Sequence, residues 1–136
     1  MPGSPSEQLA ATPPAATARR ARISRSRDFD AVYRRGRSAA GRHLVVYAFR
    51  PDDADPGEPA RLGLSVSRKV GGAVERNRLK RVLRELFVSL DPPAPPETDI
   101  VVIARAGSAE YLAERGSAAL GARLGELVAK ATGSTA

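Results

Sequence analysis

Arg76, Asn77, Arg78, Lys80, Arg81 and Arg84 place five positive charges and one amide within nine consecutive positions. A guanidinium can grip phosphate through two parallel hydrogen bonds and can stack on a base, while an ammonium binds phosphate as a point charge. Arg76, Lys80 and Arg84 recur at i, i+4 and i+8, which on a helix lines three charges along one side, where a phosphate backbone can follow them. Like-charged neighbours cost an isolated helix about 0.2–0.5 kcal/mol per pair, and a polyanion relieves that repulsion. A surface helix that merely stays solvated mixes both signs, yet only Glu75 and Glu85 interrupt this one. The chemistry on offer is recognition of nucleic acid.

Groups suited to bond cleavage are scarce. His43 is the single histidine and falls in a strand-like segment with no evident partner, which favours a structural or RNA-contacting role. Asp52, Asp53 and Asp55 lie among prolines and a glycine, where carboxylates keep a turn polar. The absence of cysteine excludes disulfides, thiolate metal ligands and thiol nucleophiles together. Gly71-Gly72 precedes no phosphate-cradling lysine motif and reads as a flexible lead-in to the helix. A self-sufficient nuclease needs a general base, an acid or a metal. The expectation is therefore no catalytic side chain, no metal site and no cofactor of the chain's own.

The overall charge agrees with a polyanionic partner. Of 136 residues, 22 are Lys or Arg and 15 are Asp or Glu, a net charge of +7. Between Arg19 and Arg84 stand 18 basic against 7 acidic residues, and the remainder is net acidic. Such concentration is expected where phosphates are met and counterions released. The preference for Arg over Lys carries less weight, since a GC-rich genome with abundant Ala produces it too. No apolar run approaches a membrane span and no leader with an apolar centre is present, so the cytoplasm is the expected location. A membrane-surface role fits poorly, because the basic helix lacks Trp and its apolar side is needed for a core.

The elements that must position these residues follow from hydrophobic periodicity. Residues 1–18 are small, Pro-rich and almost without large apolar groups, so a disordered N-terminal tail is expected, then a domain over 19–132 and a disordered end at 133–136. A first helix begins with Ser26 as N-cap, turns Phe29, Val32 and Tyr33 to one face and stops at Gly36. After a short extended stretch near 37–40, residues 43–49 alternate, with His43, Val45, Tyr47 and Phe49 on one face and Leu44, Val46 and Ala48 on the other. Residues 51–60 are turn-rich and 61–67 form the next strand; a ten-residue loop between such strands fits an antiparallel pair. The basic helix spans about 73–90, with Leu79, Val82, Leu83, Leu86, Phe87 and Leu90 as its apolar stripe. Prolines end it, and the β-branched run at 99–104 reads as a strand covered on both faces. A last helix is expected over about 117–131, weakened by Gly121 and Gly125. The order α-β-β-β-α-β-α predicts an α+β sandwich. Its central four-stranded sheet is mostly antiparallel, packed by helices, with one parallel strand pair (61–67 and 99–104) joined through the basic helix.

The sequence RNRLKRVLRE, preceded by GLSVSRKVGGAV, resembles the signature of the bacterial ribonuclease P protein family. The likeness continues upstream through SRDFDAVYRRGRSAAGRHLVVYAF and downstream to DIVVIAR, covering about 22–131. A bare RNR triplet would mean little; the long motif is specific. The resemblance implies a protein subunit of an endoribonuclease whose catalysis, with Mg2+, resides in an RNA subunit. It implies that Arg76, Asn77, Arg78, Lys80, Arg81 and Arg84 bind this catalytic RNA. It further implies that Phe29, Tyr33 and Tyr47, with Arg68 and Lys69 for phosphates, hold the single-stranded 5′ leader of precursor tRNA. Tyr33 stands where the family often has Phe; it keeps a stacking face and adds a hydroxyl. The implied partners are the catalytic RNA and precursor tRNA, with no obligate protein partner. The competing readings are a ribosomal or RNA-chaperone protein, which would leave tRNA maturation unaffected, and an independent phosphodiesterase, which would cleave alone.

Overall fold

The computed structural model describes Arg22, Ile23 and residues 26–133. The expectations for residues 1–18 and 134–136 lie outside these described residues. Seven elements follow one another: α1 (Ser26–Arg35), β1 (Arg37–Ala40), β2 (Leu44–Phe49), β3 (Arg61–Val66), α2 (Ala73–Val88), β4 (Asp99–Ala104) and α3 (Ser108–Ala131). Their order is the α+β sequence expected from periodicity. Ser26 is the first helical residue of α1 and not its cap, and the residue before it is not among those described.

The four strands form one sheet in the order β1-β2-β4-β3. β1 pairs antiparallel with β2 and β2 with β4, while β3 pairs parallel with β4 through α2. One expectation is corrected here: β2 and β3 run in opposite directions but do not pair, because β4 lies between them. The reason is burial. Asp99, Ile100, Val101, Val102 and Ala104 are all buried, so β4 needs cover on both faces and neighbours on both edges, which only a central position supplies. The 51–60 connection is long enough to step over one strand, a lateral distance of about 10 Å.

Strand alternation divides the core in two. Leu44, Val46 and Ala48 of β2 and Ile100, Val102 and Ala104 of β4 face α2 and α3, meeting Leu79, Leu83, Leu120 and Leu124 in the larger cluster. On the opposite face Val101 joins Val32 of α1 and Ile23, with Phe29, Tyr47, Phe49 and Ile103 packed around them. The chain leading into α1 runs along the outer edge of β3, where the Ile23 N–H donates to the Leu62 carbonyl at 3.0 Å.

The last helix starts nine residues earlier than its sequence pattern suggests. Gly116, at φ 87° and ψ 168°, joins a short N-terminal segment to the expected one at a kink, a left-handed conformation that glycine adopts without steric cost. Gly121 and Gly125, which weaken the helix as a local sequence, permit its packing. A Cβ at Gly121 would come within 2.9 Å of a Leu86 methyl, and one at Gly125 within 3.6 Å of Leu90. At its C-terminal end, Gly133 follows in a left-handed conformation with φ 77°. Among the described residues, no helix is long and apolar enough to cross a membrane.

Candidate nucleic-acid interface

α1 and β2 assemble an aromatic face. Phe29 and Tyr33, one helical turn apart, have ring centroids 6.2 Å apart, and Tyr33 meets Tyr47 edge-on at 5.1 Å. Phe29 packs closely against β3 because Gly63 there has no side chain; a Cβ at that position would stand 2.9 Å from the ring. Tyr33 remains 39% exposed, so a stacking surface is open to solvent. Its phenol is raised above the ordinary value, first by burial and then by Tyr47, while a hydrogen bond with Ser65 pulls the other way. The ring therefore presents a neutral surface at physiological pH.

Arg68 and Lys69 are exposed in the turn that leaves β3 three residues beyond Ser65. The turn is held by the Val70 N–H donating to the Ser67 carbonyl at 3.1 Å and by the buried Val70 side chain. Neither cation pairs with a carboxylate among the described residues, so both charges are available at the Tyr33 end of the face.

The basic helix sits on the other side of the sheet. Leu79 and Leu83 are fully buried against the larger core, while Asn77, Arg78 and Arg81 are exposed and Arg76, Lys80 and Arg84 half-buried. Arg76 is partly engaged, its Nε donating to the Gly71 carbonyl at 3.2 Å. Glu75 is turned back to accept from the Gly72 N–H at 2.9 Å and forms no ion pair with its basic neighbours among the described residues. No cation of α2 forms an ion pair among the described residues. The structure thus gathers Phe29, Tyr33 and Tyr47 on one face and the six α2 residues on the other, with the turn carrying Arg68 and Lys69 linking β3 to α2.

Phe49 belongs to the aromatic face although the family resemblance does not single it out. The alternation of β2 already put it beside Tyr47, and Arg35 of α1 lies over its ring at 5.0 Å. The remaining titratable groups serve the fold. Arg61 holds Asp99 by two hydrogen bonds, 2.7 and 2.6 Å, and lies 3.8 Å from Asp28. Those bonds, ahead of the opposing effect of burial, raise the Arg61 guanidinium above its ordinary value. Glu97 accepts from Arg50 and from the Gly57 N–H, both at 2.8 Å, and is held below the usual carboxylate range, by the Gly57 bond first. His43 stacks on Tyr111 with centroids 4.4 Å apart, and burial, then Arg42 and Arg123, lower its pKa. Asp52 lies 3.7 Å from Arg35. Among the described residues, no three His, Asp or Glu side chains are grouped to hold a metal ion.

Known proteins share this architecture and sequence. The family model described as Ribonuclease P matches residues 17–134. The ribonuclease P protein component of Listeria innocua is 45% identical over 84 residues, 62% of this chain and 68% of that one. The component from an Exiguobacterium species is 48% identical over 84 residues, 62% and 69% of the two chains. The solved RNase P protein of Staphylococcus aureus superposes with a TM-score of 0.63 at 34% identity, covering 79% of this chain and 97% of that one. The Thermotoga maritima protein gives 0.65 at 32% identity, over 76% and 90%.

Proposed function

This chain belongs to the family of ribonuclease P protein components, which serve in removing the 5′ leader from precursor tRNA, and from that premise we propose how its two faces divide the work. It is part of an endoribonuclease holoenzyme and the partner of an RNA subunit. Catalysis belongs to that RNA, and Mg2+ held by RNA oxygens supplies the hydrolytic chemistry. The protein's own side chains bind and orient.

Arg76, Asn77, Arg78, Lys80, Arg81 and Arg84 contact the RNA subunit. Phe29, Tyr33 and Tyr47 receive the leader's bases, and Arg68 and Lys69 receive its phosphates. The observation that carries this reading is the separation of two unlike surfaces. An aromatic cleft suits unstacked bases, at about 1–3 kcal/mol per base stacked. A helix whose cations form no ion pair among the described residues suits a folded phosphate backbone. One sheet between them keeps two polyanions on opposite sides and screens each from the other. The holoenzyme works in the cytoplasm, with no membrane role and no obligate protein partner.

The test is selectivity between substrates. Tyr33→Ala combined with Tyr47→Ala, in reconstituted holoenzyme, weakens binding of precursor tRNA and leaves mature tRNA, which has no leader, unchanged. Equal losses for both RNAs would contradict the assignment of the aromatic face to the leader.

A further inference from the structure

One end of the sheet carries a second group of arginines. Leu44 at the start of β2, Ala104 at the end of β4 and Val66 at the end of β3 are neighbours in register. Three strand ends thus stand side by side across about 10 Å. Arg42 precedes the first, Arg105 follows the second, and the turn carrying Arg68 and Lys69 follows the third.

Hydrogen bonds and a ring stack fix the corner around Arg42. The Arg105 N–H donates to the His43 carbonyl at 2.9 Å and its guanidinium to the Gly41 carbonyl at 3.0 Å, tying the β1–β2 turn to the end of β4. His43 stacks on Tyr111 of α3, and Arg123, farther along the same helix, donates to the Tyr111 hydroxyl. Arg42 and Arg123 both lie close enough to His43 to disfavour its charged form. The stacked rings therefore hold guanidiniums from three segments around one spot.

These three guanidiniums meet one carboxylate, Glu126, which lies 3.2 Å from Arg123. Arg42 and Arg105 form no ion pair among the described residues. After Arg84 the chain holds seven acidic and four basic residues, yet the fold brings two of those four, Arg105 and Arg123, to Arg42. A merely solvated surface intersperses both signs. Crowding like charges costs the free protein repulsion that a phosphate backbone relieves, and each guanidinium can grip phosphate through two hydrogen bonds. Tyr111 packs on the larger core, so the corner lies on the side of the sheet that carries α2.

Resting on the assignment of α2 to the RNA subunit, we propose that Arg42, Arg105 and Arg123 form a second phosphate-binding site for that subunit, framed by the His43–Tyr111 stack. RNA held along α2 reaches it around the end of the sheet.

The experiment compares Arg42→Ala with Arg123→Ala, both exposed, against wild type and against the Arg78→Ala, Arg81→Ala pair in filter binding of the RNA subunit across salt. Each lost phosphate contact lowers the slope of log affinity against log salt by about 0.7–0.9, so the corner pair lowers it by about 1.4–1.8. His43, the single histidine, gives a second readout on the unaltered chain. Its carbethoxylation by diethyl pyrocarbonate, located by mass spectrometry, slows when the RNA subunit binds and is unchanged by precursor tRNA alone. A wild-type slope in a variant with a normal thermal melt, or equal His43 reactivity with and without the RNA subunit, would overturn the site. Protection by precursor tRNA alone would assign the corner to the substrate and overturn the partner named here. If the α2 pair lowers the slope and the corner pair does not, α2 keeps its assignment without this site; if neither does, the assignment of α2 fails as well.

Discussion

Replacing Arg78 and Arg81 by Ala isolates the electrostatic contribution of the basic helix. Both side chains are exposed, neither has an ion-pair partner among the described residues, and both stand away from the buried Leu79 and Leu83. Ala is the strongest helix former, and exposed substitutions of this kind stay within about 0.5 kcal/mol. Two such substitutions together stay within about 1 kcal/mol, so the melting temperature should move by no more than about 5 °C. RNA binding should change far more, and in a characteristic way. Each lost phosphate contact lowers the slope of log affinity against log salt by about 0.7–0.9, so the pair lowers it by about 1.4–1.8. Between 50 and 200 mM salt the advantage of wild type over variant then contracts roughly tenfold. Filter binding of the RNA subunit across that salt range, with a parallel thermal melt, reads both quantities. An unchanged slope in a normally folded variant would refute the assignment of α2 to a phosphate backbone. A large fall in melting temperature would refute the claim that these two arginines are free of the fold.

Three further outcomes follow from the packing. Gly63→Ala forces a Cβ against the Phe29 ring, so thermal or chemical denaturation should show a loss of about 1–3 kcal/mol; an unchanged midpoint would mean that the ring is not seated on β3. Arg61→Ala leaves the buried Asp99 carboxylate without its two hydrogen bonds and should cost about 3–5 kcal/mol by urea denaturation, whereas a loss below about 1 kcal/mol would place the pair at a wet surface. His43 has a lowered folded pKa, so the unfolded chain binds the proton more readily. Stability is full above the unfolded value near 6.5 and falls as pH drops through the folded value. His43→Gln should flatten the decline in melting temperature between pH 7.5 and 5, and an equally steep decline in the variant would remove His43 as its source.

Much of this architecture is written in local periodicity. β2 alternates cleanly enough to divide its residues between the two cores, and the stripe from Leu79 to Phe87 orients α2 before any tertiary contact is considered. What escaped is non-local. The insertion of β4 between β2 and β3 depends on which strand most needs cover on both edges, a competition among segments nearly forty residues apart. Gly121 and Gly125 look like helix weaknesses until Leu86 and Leu90 of α2 press against them. The first segment of α3 was hidden because Gly116 reads as a boundary, although it serves as a kink. At the candidate interface, the RNR-bearing motif made the α2 set conspicuous. Phe29, Tyr33 and Tyr47 came from family resemblance, and their mutual contacts support grouping them. Phe49 carried a weaker signal, the alternation of β2; its packing in the cluster with Phe29 and Tyr47 and the position of Arg35 over its ring mark it as part of the same face.

This protein acts with an RNA subunit and, on the proposal above, supplies binding in place of catalytic groups. Cleavage of precursor tRNA at low magnesium, with protein alone, RNA subunit alone and both together, tests it most directly. Cleavage at the mature 5′ end is expected when both are present, and none with the protein alone. Cleavage by the protein alone, or no stimulation of the RNA by correctly folded protein, would contradict it.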